Sequence, residues 1–360
     1  MARRYSFEEE EDLAAFFRIR EEDEGIAICG WDGSGNYVRI PQKYKVGDGN
    51  HKTGDITAEV AIRCIETVGN AHKVEDLGQK RSCGPGVGIP AGRPERPVVR
   101  VERYAFSDKP SLERVEIPDS VTEIGDHAFY DCRKLRRVQL SDHIRRIGDG
   151  AFKNCHDLRY IDLKVIGGRD ACIRDILSDC WQEIIVDLHY ADGEARLVFP
   201  EYEIEYFENY PARLFYHEIY GSGEAYRQCL QETSINWRDY DALFERSGRE
   251  DRGPVTAAIA MYRLRYPRQL GAERQETYLR WLSDHAQEAV RWCLEEERIQ
   301  EILWLEEWKV LTISRMSDCM SVAEEFGDPA AAALLMGIEQ RMKQAEMSGR
   351  EKTRRRRYQL

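Results

Sequence analysis

VVRVERYAFSDKPSLERVEIPDS (98–120), VTEIGDHAFYDCRKLRRVQLSDH (121–143) and IRRIGDGAFKNCHDLRYIDLK (144–164) follow one another without a gap and align at a period of 23 residues. Apolar residues fall in fixed columns. Val98, Val121 and Ile144 form one, and Val101, Ile124 and Ile147 the next. Phe106, Phe129 and Phe152 follow, then Leu112, Leu135 and Leu158. Val115, Val138 and Ile161 precede Ile117, Leu140 and Leu163, and Ala105, Ala128 and Ala151 make a column of small residues. A single coil of this length cannot bury its own apolar edge, but stacked coils turn each column into a continuous ridge inside a solenoid.

Within each coil the segment Leu-x-x-Val-x-Ile, as at Leu112–Ile117, alternates inward and outward residues and reads as a short strand. Gly125 and Gly148 follow the inward isoleucine, where a sharp turn is expected. The Ala-Phe pair that comes next is expected to close the coil with a helical turn or a 3₁₀ piece, the Phe filling the core. Outward residues then form ladders across the coils. Arg114, Arg137 and Tyr160 make one, Glu116, Gln139 and Asp162 a second, and Glu113, Arg136 and Arg159 a flanking third. Such a rigid sheet of arginine and tyrosine is a candidate surface for a protein or peptide partner. Cys132 and Cys155, one period apart, are expected to be buried packing residues.

The run IPDSVTEIGDHAFYDCRKLRRV, residues 117–138, resembles the BspA-like leucine-rich repeats of bacteria. The resemblance covers about 70 residues. It implies an α/β repeat architecture and a binding role, since repeats of this kind occur in bacterial surface proteins that bind host or matrix proteins. Gly25–Pro41 looks like a divergent first coil, with Ile40-Pro41 parallel to Ile117-Pro118.

The rest of the chain is organised around this solenoid. An acidic N-terminal segment, 1–24, is expected to be helical. The leucine-rich repeat solenoid is expected to span 25–164, with an insertion at 44–97 that holds a short helix (Ala58–Glu66) and a Gly/Pro-rich loop (Cys83–Pro97). Glu183–His189 and Ala195–Phe199 read as strands around an Asp192-Gly193 turn, inside a strand-rich cap at 165–222. An all-α C-terminal domain, a helical repeat or ankyrin-like, follows at 223–345. Spacing near 3.6 marks Thr256–Tyr266, Glu276–Glu297, Ile299–Trp308 and Met316–Phe326, and Asp328-Pro329 reads as a helix start. Residues 292–336 weakly resemble ankyrin helix pairs. Residues 346–360 read as a basic disordered tail.

The 360 residues carry a net charge of −12, which argues against a nucleic-acid-binding body. The exception is Arg354, Arg355, Arg356 and Arg357, which read as a solvated end or as a contact for an anionic partner. The start has no apolar run behind Arg3 and Arg4, and the ten cysteines are dispersed without a CxxC; both point to a reducing cytoplasmic location. Motifs for chemistry are incomplete. Gly47–Thr53 lacks the glycines of a phosphate loop, Cys83–Gly88 lacks a flanking strand and helix, and His217-Glu218 lacks a second histidine. Gly221–Gly223 lacks the spacing of a nucleophile elbow. No cofactor or metal is expected. The reading is therefore a non-enzymatic interaction or scaffold module that binds a protein through the solenoid face. A surface adhesin is one alternative. The other is an enzyme with its site in 165–250, where Tyr202, Glu203, Tyr206, Glu208, Tyr210, Tyr216 and Glu218 gather.

Overall fold

A computed structural model describes residues 13–14, 17–33, 35–45, 63–64, 95–209 and 214–357. It divides into two compact units, Met1–Cys180 and Trp181–Leu360.

In the first unit the strands are β1 (Leu13–Ala14), β2 (Phe17–Glu21), β3 (Ile26–Trp31), β4 (Tyr37–Arg39), β5 (Lys43–Lys45), β6 (Arg63–Cys64) and β7 (Glu95–Val101). They continue with β8 (Arg114–Glu116), β9 (Glu123–Ile124), β10 (Arg137–Ser141), β11 (Arg146–Ile147) and β12 (Tyr160–Val165); a short helix α1 (Arg174–Asp179) ends the unit. Two parallel ladders run along the solenoid. Strands β4, β8, β10 and β12 pair in register, Val38 beside Val115, Val115 beside Val138 and Val138 beside Ile161. Strands β3, β7, β9 and β11 form the second ladder. All seven columns are buried throughout. The coil at Gly25–Pro41 is a true first turn, stacked on the coil at 98–120 through both ladders, and Ile40 donates its N–H to Glu116 O at 3.0 Å.

Between the two ladders each coil turns on backbone hydrogen bonds to the next. The N–H groups of Tyr104, Phe106 and Asp108 donate to the carbonyls of Asp126, Ala128 and Tyr130; those of His127, Phe129 and Asp131 donate to Asp149, Ala151 and Lys153. The expected helical turn is instead a turn with two left-handed residues per coil. Tyr104, His127 and Gly150 have φ of 59°, 55° and 60°; Asp108, Asp131 and Asn154 have 56°, 59° and 65°. Asp and Asn tolerate this region because their short side chains hydrogen-bond locally. Gly125 and Gly148 have a different cause from the expected sharp turn. A Cβ on Gly125 would lie 2.5 Å from the backbone N of Arg103, and one on Gly148 would lie 2.4 Å from that of Asp126, so neighbouring coils approach too closely for any side chain. Inside, the rings of Phe106, Phe129 and Phe152 stack at 5.0 Å. Cys132 and Cys155 are buried as expected, their thiols donating to Phe106 O (3.0 Å) and Phe129 O (3.2 Å). Burial pushes the Cys132 thiol up to about 11.

Both ends of the stack are closed. The N-terminal segment is not the expected helix: Phe17–Glu21 is a strand antiparallel to β3, because Phe17 and Ile19 alternate with exposed arginines at period 2. Residues 1–12 lie outside the described residues. At the other end, where no further coil supplies a carbonyl, the Asp179 carboxylate accepts the N–H of Phe152 at 3.0 Å. The buried Asp142 carboxylate collects three more N–H groups, from Ile166, Gly167 and Arg169. Of the helix expected at Ala58–Glu66, only Arg63–Cys64 are described, and they are a strand paired with Leu13–Ala14; the rest, and residues 83–94 of the expected loop, lie outside the described residues. The insertion leaves and re-enters the solenoid at one place, since β5 pairs antiparallel with the start of β7, Lys45 opposite Glu95.

The second unit opens with the expected hairpin, β13 (Ile184–Tyr190) and β14 (Gly193–Phe199), Tyr190 opposite Gly193. A ribbon β15 (Glu203–Asn209) and β16 (Leu214–Tyr220) follows, then α2 (Gly223–Arg227), α3 (Trp237–Ala242), α4 (Phe244–Glu250) and α5 (Gly253–Arg265). The chain continues as α6 (Ala272–Asp284), α7 (Ala286–Glu295), α8 (Ile302–Glu307), α9 (Met316–Glu325) and α10 (Pro329–Arg357). The helix expected at Glu276–Glu297 is broken at His285, whose φ and ψ of −129° and 38° are not helical. Helix α5 packs on β14, and the Tyr240 hydroxyl serves both polar groups of Val198 on that strand. Arg263 is fully buried. It grips Asp241 through Nε (2.7 Å) and Nη2 (2.9 Å), while the Tyr278 hydroxyl donates to the same carboxylate at 2.8 Å. Asp328 caps α10 as expected, accepting from Ala330 and Ala331. The helix then runs on to Arg357 through the expected disordered tail, because residues 338–357 are rich in Glu, Gln, Lys, Arg and Met, all good helix formers.

Two substitutions test this account. Gly125→Ala meets backbone that cannot swing away and is expected to destabilise the solenoid by about 1–3 kcal/mol, read from urea unfolding. Asp241→Ala strands the buried Arg263 charge and is expected to cost about 3–5 kcal/mol, read by the same method.

Candidate functional site

The candidate surface is the outward face of β4, β8, β10 and β12. The ladder register places Arg114 beside Arg137 and Arg137 beside Tyr160, with Glu116, Gln139 and Asp162 in the adjacent column. All six residues singled out from the sequence therefore share one face. The first coil adds a rung that the sequence reading did not include: Tyr37 beside Arg114 and Arg39 beside Glu116. The signal for it was present, since Tyr37-Val38-Arg39-Ile40-Pro41 aligns residue by residue with Arg114–Pro118.

The completed column reads Tyr37, Arg114, Arg137, Tyr160. Each arginine lies over a ring, Arg114 over Tyr37 at 5.5 Å and Arg137 over Tyr160 at 4.6 Å. The carboxylates of the next column hold them there. Arg137 Nη1 donates to both oxygens of Asp162 at 2.8 Å. Glu116 bridges two arginines, accepting from Arg114 Nη2 at 2.9 Å and from Arg39 Nε at 2.6 Å. Glu116 and Asp162 lie low in the sheet, with side chains 12% and 14% exposed, whereas Arg114 is 40% exposed. The acids are thus supports, and the arginines with the half-exposed Tyr160 form the accessible layer, while Tyr37 is buried under Arg114. Burial and the neighbouring Glu116 raise the Tyr37 hydroxyl to about 12, so it stays neutral and able to donate. Gln139 is exposed between the two supported clusters, and the flanking Glu113, Arg136 and Arg159 continue the coil-to-coil hydrogen bonding.

The outward side of the other sheet differs. There Arg146 pairs with Glu123 at 2.6 Å, Glu123 with Arg100 at 3.0 Å, and Arg100 with Glu22 at 3.5 Å, an alternating ladder without aromatic residues. Of the acids and tyrosines gathered in 165–250, the side chains of Glu208 and Tyr216 are outside those described. Glu203, Tyr206 and Glu218 stand exposed on the ribbon β15–β16, and Tyr210 lies outside the described residues. The Gly221–Gly223 turn is built for packing: Ser222 bonds Asp251 through its N–H and hydroxyl, and a Cβ on Gly223 would lie 2.1 Å from Pro200 O. Among the described residues no group of three His, Cys, Asp or Glu is placed to hold a metal ion, and no helix is long and apolar enough to cross a membrane.

This stacked, parallel, doubly laddered coil with an internal phenylalanine spine defines a leucine-rich repeat solenoid. Residues 97–172 match the family described as "BspA type Leucine rich repeat region (6 copies)", so the repeat is of the BspA type, over about a fifth of the chain. Several solved structures are similar. A leucine-rich repeat protein from Bacteroides capillosus is 21% identical, with 44% of this chain and 89% of that chain covered and a TM-score of 0.27. One from Bacteroides ovatus is 17% identical, covering 52% of this chain and 37% of that chain, TM-score 0.28. A leucine rich cell surface protein from Faecalibacterium prausnitzii is 17% identical, covering 51% and 44%, TM-score 0.25. No curated protein matches the chain.

The stacked pair on the face is itself measurable. A double-mutant cycle of Arg137→Met and Tyr160→Leu is expected to give a coupling of about 0.5–1 kcal/mol, read from unfolding free energies; a coupling of zero would mean the arginine is not held on the ring.

Proposed function

We propose that this chain is a protein-binding module that engages its partner through the outward face of β4, β8, β10 and β12, and that it performs no chemistry of its own. The observation that carries this reading is the Tyr37–Arg114–Arg137–Tyr160 column with its carboxylate supports. Arg and Tyr are the residue types that anchor interfaces. Here their rotamers are already held by Asp162 and Glu116, so less side-chain entropy is lost on contact. Three arginines and two acids leave the face only slightly positive. It therefore suits a partner that stacks and hydrogen-bonds more than a polyanion. The open placement of Glu203, Tyr206 and Glu218 supports binding over catalysis in the second unit. Cys29, Cys132, Cys172, Cys229, Cys293 and Cys319 stand as thiols, which supports a reducing, cytoplasmic location.

The test is affinity capture from a lysate of the source organism with the native chain and with Arg137→Glu/Tyr160→Ala, folding first being verified by circular dichroism. The native chain is expected to retain a partner whose recovery falls at least about tenfold with the double variant, the loss typical of a central anchor. A variant that keeps every partner would remove this face as the binding site.

A further inference from the structure

Two elements of the second unit have exposed described side chains, are comparable in length and oppose in charge. The first is the ribbon β15–β16. Its described side chains Glu203–Tyr206, His217, Glu218 and Tyr220 are exposed, those of both faces alike. The register sets Glu205 directly opposite Glu218, and Glu203 opposite Tyr220, which puts three carboxylates on one face. Directly opposed like charges destabilise a ladder, and a two-stranded ribbon is marginal on its own. Within the ribbon, the Tyr220 hydroxyl donates to Glu218 at 2.8 Å.

The second element is the end of α10. Of the helix's described side chains, Ala331, Leu335 and Ile338 are buried and hold its first turns. Every side chain from Lys343 to Met347 is exposed, Met347 by 71%. The helix nevertheless continues to Arg357. Residues 343–357 contain Lys343, Arg350, Lys352 and Arg354–Arg357 against Glu346 and Glu351, a strongly basic end on an acidic chain. At 1.5 Å per residue this end is about 22 Å long. A seven-residue strand spans about 23 Å, and the three carboxylates of its face lie at the Glu203–Glu205 end, beside Glu218.

We propose that the acidic face of β15–β16 takes the basic end of α10 from a second copy of this chain. The helix is anchored by its first turns and its side chains are exposed from Lys343 to Met347, so a neighbouring copy can meet the segment that follows. Each copy holds one ribbon and one helix end, so two contacts related by a two-fold axis close a dimer. The cations of the incoming helix offset the Glu205–Glu218 repulsion. Two such contacts bury on the order of 1,000 Å², near the lower bound for a specific interface, so the dimer is weak and sensitive to salt.

Light scattering on the full chain at roughly 50 μM, in salt of about 50 mM and about 0.5 M, reads the association. The expected result is a dimer at low salt whose affinity falls at least tenfold at high salt. Two charge-reversed variants serve as controls: Glu203→Lys/Glu205→Lys/Glu218→Lys in the ribbon, and Arg354→Glu/Arg355→Glu/Arg356→Glu/Arg357→Glu in the helix. Each alone is expected to be monomeric, and an equimolar mixture of the two is expected to regain the dimer, because the swapped charges match in both contacts. That recovery also shows that neither variant is merely unfolded. A chain that is monomeric at low salt overturns the proposal. So does a dimer that persists in either variant, or a mixture that stays monomeric. A monomer whose basic helix binds short duplex DNA would assign that end to a polyanion instead. The Arg137→Glu/Tyr160→Ala chain should dimerise like the native one, so this test is independent of the solenoid face.

Discussion

The backbone ladder from coil to coil is the constraint on which the first unit depends. Hydrogen bonding between parallel strands holds adjacent coils just under 5 Å apart, and the phenylalanine rings of neighbouring coils accordingly meet at 5.0 Å. At that spacing every side chain lies directly above its counterpart one period on. A column can hold only residues that fit on themselves: a flat ring at Phe106, Phe129 and Phe152, a methyl at Ala105, Ala128 and Ala151, and no side chain at Gly125 and Gly148 where backbones nearly touch. The repetition of one residue type down each column is the consequence of this single distance. So is the need for terminal substitutes, which β2 supplies at one end and the carboxylates of Asp142 and Asp179 at the other.

The same register makes the candidate surface. Residues that point outward from four strands are brought into line without any further device, and what distinguishes the two sheets is chemistry alone. On one, Arg and Glu alternate from strand to strand and neutralise each other. On the other, the acids sit low beside the arginines and two tyrosines stand at the ends of the column, so the guanidinium groups lie over rings as well as being neutralised. A surface that has already surrendered its side-chain freedom is prepared for contact in a way that a set of free surface arginines is not.

Several elements resisted reading for identifiable reasons. Phe17–Glu21 is too short for its alternation to outweigh the acidic run before it, and it becomes a strand because β3 offers it an edge. The break at His285 is invisible to periodicity, since Tyr278, Leu282, Ala286 and Ala289 keep one phase straight through it and all are buried. The left-handed turns at Tyr104 and His127 carry no glycine to announce them. In the second unit, Arg263 and Tyr278 lie 22 and 37 residues from Asp241 along the chain, and nothing in their local sequence marks the three as a buried network.

By itself the sequence determined the solenoid, because a repeated period writes the same environment three times and each copy confirms the others. It also determined which six residues line the outward face, since alternation along a strand is a local rule. The tertiary structure added the fourth rung of Tyr37 and Arg39, signalled by the match of Ile40-Pro41 to Ile117-Pro118 but joined to its neighbour across an insertion of some fifty residues. It alone decided that Glu116 and Asp162 act as supports for the arginines. Those contacts arise between coils, where the partner is near in space and a full period or more away in the chain, and a reading that proceeds along the chain has no measure of that distance.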